Sequence, residues 1–287
     1  SSSRKIYTYS MLLLSLVFSR KVVLLPGPNL LKKISLLQKF CSTRKFVLVA
    51  VGGWLPELAK KSTSIKKLLL NIDSIWVQTK GLIYELNEQN IQASLLSNFK
   101  NNIFPLKPGI EKKSSKTIKL VFMSRVARDK GIFESIEAVS ELNGIATLDI
   151  YGPMHDCNLD VDDFVNIKYK GILDTSNIQN TLKNYDCLIF PTYYPGEGFP
   201  GVLLDAFFSG ITVIASNWRF NSEIVLDYQN GVLISAINKR AIKKKVIELH
   251  QNTALLQKLK QGAHESSYGY FPDVIMDKFI TKLNQEK

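Results

Sequence analysis

The sequence predicts an α/β protein built on two parallel sheets, and three observations carry that expectation. Short apolar runs rich in β-branched residues alternate with amphipathic helical patterns along the chain, the order that βαβ units produce. A polar stretch with two prolines and a glycine, FPLKPGIEKKSSKT at 104–117, divides the alternation into two parts. Charge divides it the same way: residues 1–100 hold 15 Lys and Arg against 4 Asp and Glu, whereas residues 101–287 hold 22 against 21. With 45% hydrophobic and 22% charged residues over 287 positions, the composition is that of a globular chain long enough for two domains.

The chain opens on SSSRKIYTYSMLLLSLVFSRK, a basic start followed by a short apolar run. That run falls well short of the roughly 20 residues a bilayer span needs and has no small-residue cleavage site after it. A buried helix end leading into a strand is expected there. The first residue is not Met, and the chain reads as a fragment lacking its upstream start. Strands are expected at KVVLLP (21–26), KFVLVAV (45–51), SIWVQT (74–79) and QASLLS (92–97), with helices near 29–41 and 80–89. AVGGWLPEL (50–58) reads as a cleft-facing loop, or else as a tight turn packed under Trp54.

Beyond the linker, strands are expected at IKLVFMS (118–124), ATLDIYG (146–152), NIKYKG (166–171), CLIFPT (187–192), TVIAS (212–216) and GVLIS (231–235). Helical patterns fall near 131–142, 176–184, 202–209 and 238–261, and DVIMDKFITKLNQEK forms a last helix. Cys41, Cys157 and Cys187 are far apart and show no CxxC spacing. They indicate neither a disulfide framework nor a zinc knuckle, and a reducing compartment fits best.

Ligands of doubly wound sheets sit beyond the carboxyl ends of the strands, so the strand exits are the places to search. SRVARDKG puts Arg125 and Lys130 on a loop leading into a helix, with Gly131 permitting the turn. Two fixed cations beside a helix N-terminus suit a diphosphate, although a solvated loop would have the same spacing. PTYYPGEGFPGVLLDAFFSGITVIAS (191–216) carries Glu197 on a glycine-rich loop and Asp205 in the helix that follows. Gly196, Gly198 and Gly201 let backbone approach a ligand, and Pro200 stiffens the turn. Two carboxylates presented to one cleft can accept hydrogen bonds from sugar hydroxyls, the alternative being that Asp205 is exposed or capping.

SRVARDKG, YGPM, YKGIL, the 191–216 stretch and SEIVLDYQNGVLI, in that order and spacing, resemble the retaining glycosyltransferases of family four. The resemblance covers residues 75–287 and is strongest from 118 to 234. It implies the GT-B fold, two Rossmann-like domains with parallel sheets facing across a cleft. The expected domains are 1–106, an incomplete acceptor-side N-terminal domain, 107–270, which binds the nucleotide sugar, and 271–287, a helix crossing back to the first domain. The resemblance further implies that Glu197 contacts the hydroxyls of the transferred sugar and that Arg125 and Lys130 hold the diphosphate. Asp205 would contact the ribose, with one methylene fewer than the glutamate of the family pattern. Gly198, Phe199, Pro200, Gly201 and Val202 would line the sugar and phosphate site, and Tyr151, Gly152, Lys170, Gly171 and Ile172 would surround the base.

The reaction so implied moves a sugar from a nucleotide-diphosphate sugar to a saccharide or lipid-linked acceptor in cell-surface polysaccharide synthesis, with retention and without metal or other cofactor. Asp160 and Asp162 in DVDD form a DxD pattern, but in an acidic loop that does not favour a metal site. His155, His250 and His264 all fall in the second part, so no base is evident on the acceptor side. The expected location is the cytoplasm, at the inner face of the membrane, where the basic first part meets anionic headgroups; no nucleic acid is expected as a partner. The competing expectation is a non-catalytic or truncated relative that binds nucleotide or serves as an interaction module.

Overall fold

The computed structural model describes residues 19–31, 34, 38, 43–101, 103–109 and 117–285. The opening apolar run, most of the helix expected at 29–41, and linker residues 110–116 lie outside them. The chain divides into two compact units, Ser1–Ser97 and Asn98–Lys287.

In the first unit β1 (Lys21–Leu24), β2 (Lys45–Ala50), β3 (Ser74–Val77) and β4 (Ser94–Leu95) form one sheet in sequential order. All three pairings are parallel, with Lys21 opposite Lys45 and Val47 opposite Ser74. The central strands are buried on both faces, which is why KFVLVA and SIWV are continuously apolar. Among the described residues, three helices lie between β2 and β4: α1 (Leu55–Lys61), α2 (Thr63–Leu70) and α3 (Lys80–Asn87). Ser62 caps α2 and Thr79 caps α3, each hydroxyl accepting a backbone N–H of the first turn. Gly52 to Trp54 make a turn in which the Trp54 indole donates to the Val51 carbonyl at 2.7 Å, and α1 starts directly after it.

The second unit holds a six-stranded, all-parallel sheet in the order β10-β9-β8-β5-β6-β7. Its strands are β5 (Ile118–Met123), β6 (Ala146–Tyr151), β7 (Ile167–Tyr169), β8 (Cys187–Phe190), β9 (Thr212–Ser216) and β10 (Val232–Ile234). Side chains alternate across β5. Leu120 and Phe122 join one core with Ile136 of α4 (Ile132–Ser140) and Val246 of α7 (Lys239–Gln251). Val121 faces the other core, with Leu182 of α5 (Ile178–Leu182), Phe207 of α6 (Gly201–Phe208) and Ala263 of α8 (Thr253–Ser267). Helix α9 (Pro272–Gln285) ends the unit. The sheet reverses direction of growth between β5 and β8, so the crevice at a topological switch point lies between the carboxyl ends of those two strands.

The division falls before Asn98 rather than near residue 106 because the stretch between is fastened to the second unit. Lys100 N–H donates to the Tyr270 carbonyl, Leu106 N–H to that of Phe208, and the Gln179 amide to that of Phe104. The single helical pattern at 238–261 is two helices. Asn252 ends α7, and its side chain accepts the Leu255 N–H at 2.9 Å to start α8, which runs on to Ser267.

Candidate functional site

The switch-point crevice of the second unit holds three of the charged residues singled out in the sequence. Arg125 and Lys130 follow β5, and Glu197 follows β8. Lys130 ends a 3-10 turn, Arg128–Lys130, and Gly131 after it has φ 75°. A Cβ at Gly131 would lie 2.4 Å from the Pro191 carbonyl oxygen, so the loop after β5 can reach the loop after β8 only with glycine there. That approach brings Lys130 and Glu197 together: Nζ donates to Oε2 at 2.6 Å. Both residues are buried, at 6% and 8% exposure.

The Thr192 hydroxyl donates to the same Oε2 at 2.9 Å. Thr192 is itself fixed, its carbonyl accepting the Ser216 hydroxyl at 2.6 Å from the end of β9. Among the described residues Glu197 Oε1 has no protein partner, and it is the free acceptor of the site. Lys130 Nζ lies 4.5 Å from the Tyr194 ring centroid and the Arg125 guanidinium carbon 5.5 Å from the same centroid. Tyr194 thus contacts both cations, and its carbonyl accepts the Trp218 indole N–H at 2.8 Å. Arg125, half-buried, has no carboxylate partner among the described residues. Of the two cations expected near the helix start, Lys130 is paired with Glu197, and Arg125 has no carboxylate partner among the described residues.

Gly198, Phe199 and Pro200 are buried, while Gly201 and Val202 begin α6 half-exposed. Pro200 occupies the N-cap and supplies no side-chain bond, so the first N–H groups of α6 are uncapped. Phe199 packs edge-on against Tyr270 with centroids 5.6 Å apart, and its carbonyl accepts the Asn98 amide at 3.5 Å.

Asp205 is not joined to Glu197. It sits one turn into α6, 8% exposed, and Oδ1 receives Lys100 Nζ at 2.5 Å. Burial raises its carboxyl above the usual range, and Lys100 opposes that by its charge and hydrogen bond.

At the ends of β6 and β7, Gly152 N–H donates to the Gly171 carbonyl at 2.9 Å. Gly152 has φ 144°, and a Cβ there would meet the Ser124 carbonyl oxygen at 1.7 Å. Ile172 next to them is 73% exposed. Tyr151 lies behind, its hydroxyl 3.1 Å from that of Tyr185, which donates to Asp149 at 2.7 Å. Lys170 is exposed and 3.8 Å from Asp149.

Asp160, Asp162 and Asp163 are exposed in the turn before β7, and His155 is exposed after β6. His250 lies on α7 and the buried His264 on α8, away from the crevice, where its Nε2 is 3.4 Å from the Tyr268 hydroxyl. Burial pushes the Cys187 thiol, which lies fully buried in β8, well above the ordinary thiol range.

Comparison with protein families matches residues 104–266 to the model described as glycosyl transferases group 1. Comparison with curated protein sequences gives no match. Among solved structures, the chain is similar to sucrose-phosphate synthase from Thermosynechococcus elongatus, with a TM-score of 0.75 at 16% identity over 93% of this chain and 74% of that one. Anabaena HepE in complex with UDP-glucose gives a TM-score of 0.76 at 14% identity over 92% and 78%. A glycosyltransferase from Rickettsia africae gives 0.72 at 17% over 93% and 76%. At these identities the likeness shows the fold, which is GT-B.

Proposed function

Because the chain belongs to the glycosyl transferases group 1 family, we propose that it transfers a sugar, with retention and without metal, from a nucleotide-diphosphate sugar to a saccharide or lipid-linked acceptor. The observation that carries this reading is the buried Lys130–Glu197 pair beside Arg125, which has no carboxylate partner among the described residues, and the start of α6, all at the switch point of one sheet.

The chemistry follows from what each group can do. In transfer, the bond from the anomeric carbon to the diphosphate oxygen breaks through an oxocarbenium-like state, and that oxygen keeps the electron pair. Arg125 offers a fork of N–H donors to the diphosphate, and Lys130 has two N–H donors beyond the one given to Glu197. The N–H groups of α6 add the positive end of its dipole. These groups are fixed before the ligand arrives, so the growing charge meets oriented dipoles at little reorganisation cost. Glu197, held through Oε2, presents Oε1 to a sugar hydroxyl. The acceptor hydroxyl bonds to the anomeric carbon on the face the diphosphate leaves, and its proton passes to a diphosphate oxygen. The products are the glycoside and the nucleoside diphosphate.

Ile172 and the Gly152–Gly171 contact suit the base, and Asp205 suits the ribose. HepE was solved with UDP-glucose, which makes UDP the first nucleotide to try. The test is calorimetric titration with UDP-, GDP- and ADP-sugars in chelator. Saturable binding of one, weakened by Arg125→Ala, supports the reading; binding that Arg125→Ala leaves unchanged refutes the diphosphate role.

A further inference from the structure

The first residues of the second unit contribute a side chain to this site. Asn98 and Lys100 both reach the loop and helix that carry Glu197 and Asp205, the first to the Phe199 carbonyl and the second to Asp205 Oδ1 at 2.5 Å. Lys100 is itself placed by its backbone N–H, which donates to the Tyr270 carbonyl at 3.1 Å. Its side chain is 23% exposed and that of Asp205 9%, so the carboxylate is the more deeply buried partner of the ion pair.

An aspartate stands where the longer glutamate of the family pattern would reach further out, and its carboxylate stays close to the helix in a poorly solvated place. Such a carboxylate tends to take up a proton unless a cation faces it. A protonated acid has one O–H donor and reduced accepting capacity, whereas a carboxylate accepts from two hydroxyls at once. The charge state of Asp205 therefore decides whether it recognises a cis-diol.

We propose that Lys100 is a positioning residue of the donor site: its ammonium group keeps Asp205 as a carboxylate and fixes Oδ1, leaving Oδ2 to accept the hydroxyls of the donor's ribose. This rests on the donor-site reading above. Among the described residues Oδ2 has no protein partner. Of the titratable side chains on α8 and next to α5, Lys260 pairs with Asp186, His264 lies 3.4 Å from the Tyr268 hydroxyl, Glu265 accepts the Gln261 amide, Tyr185 donates to Asp149, and Lys258 is exposed. Tyr270 packs on Phe199, and its phenol is raised by burial. Lys100 is the charged group that opposes the effect of burial on Asp205.

The experiment compares UDP with 2′-deoxy-UDP by calorimetry from about pH 6 to about pH 9, with GDP and ADP and their deoxy forms in parallel. The proteins are wild type, Lys100→Met, Lys100→Arg and Asp205→Asn. Wild type should favour the ribonucleotide by about tenfold or more across the range. Lys100→Met should lose most of that preference at the acid end and regain it as pH rises and Asp205 ionises, about tenfold per pH unit at most. Lys100→Arg should behave as wild type, and Asp205→Asn should lack the preference at every pH.

A merely structural lysine would change thermal stability without this pH-dependent loss of ribose preference. Should Lys100→Met fold poorly by circular dichroism, Lys100→Gln carries the same comparison, since it keeps the stem and a donor but not the charge. A preference in Lys100→Met equal to wild type at all pH values, with Asp205→Asn lacking it, overturns the proposal alone. Nucleotide binding that is blind to the 2′-hydroxyl in wild type, or no nucleotide binding at all, overturns the donor-site reading together with it.

Discussion

Arg125 and Glu197 call for different substitutions because the first has no carboxylate partner among the described residues and the second is half of a buried ion pair. Arg125→Ala removes a donor to the developing negative charge and leaves no group stranded. The expected cost is about 3–4 kcal/mol of transition-state stabilisation, read as kcat/KM with the protein's melting curve unchanged. Glu197→Ala strands the Lys130 ammonium in a buried place, and an unfolding experiment should show a loss of about 3–5 kcal/mol. Glu197→Gln keeps an acceptor for Lys130 and should fold while losing activity. Were Glu197→Ala as stable as wild type, the buried Lys130–Glu197 pair would not hold the loops after β5 and β8 together. The motif stretches of the sequence made Arg125, Lys130 and Glu197 legible, since each follows a recognisable strand. Lys100, Thr192 and Tyr194 were not, because nothing local marks them: Lys100 lies in a plain polar stretch, and Thr192 and Tyr194 become partners only when the loops after β5 and β8 meet.

The elements around the site are fastened by charges whose effects can be separated. Lys260 of α8 donates to Asp186, just before β8, at 2.5 Å, and its side chain is 4% exposed. Lys260→Ala should destabilise the second unit by about 3 kcal/mol in a urea titration, by leaving a carboxylate in a largely desolvated place. An unchanged midpoint would show that solvent replaces the ammonium.

The exposed contact between α4 and α7 behaves differently. Glu141 lies between Lys239 and Lys243 of α7, at 2.7 Å from the second, and their hydrogen bonds and charges lower its carboxyl from an ordinary 4.5 to about 2. A depressed carboxylate stabilises the fold above its unfolded value, and that contribution disappears as pH falls from 4.5 toward 2. The melting difference between wild type and Glu141→Gln should therefore shrink over this interval; a constant difference would contradict the ion-pair account.

The strands were fully legible among the described residues, since each expected run contains one. Helices α1 and α2 were not, because each is only two turns long and the apolar pattern of so short an element is indistinct. The break at Asn252 was hidden because the apolar period continues across it while the cap interrupts the backbone.

For the molecule as a whole, the two parallel sheets and their division were legible in the alternation of patterns. The exact boundary was not, since it depends on hydrogen bonds from 98–109 to distant parts of the second unit. No helix among the described residues is long and apolar enough to cross a membrane. The charge excess of the first third, with Lys60, Lys61 and Lys67 exposed on α1 and α2, suits contact with anionic headgroups. Sedimentation with phosphatidylserine vesicles should fall steeply as salt rises past about 0.15 M, where the screening length is about 8 Å. Binding that ignores salt would remove headgroup attraction from the account.

The central claim is that one crevice, at the switch point between β5 and β8, binds a nucleotide-diphosphate sugar through Arg125, Lys130 and Glu197. It is tested most directly by titrating wild type and Arg125→Ala with UDP-, GDP- and ADP-sugars in chelator. The account predicts saturable binding of one of the three by wild type and a large loss in the variant. Absence of binding to all three, or equal binding by both proteins, would contradict it.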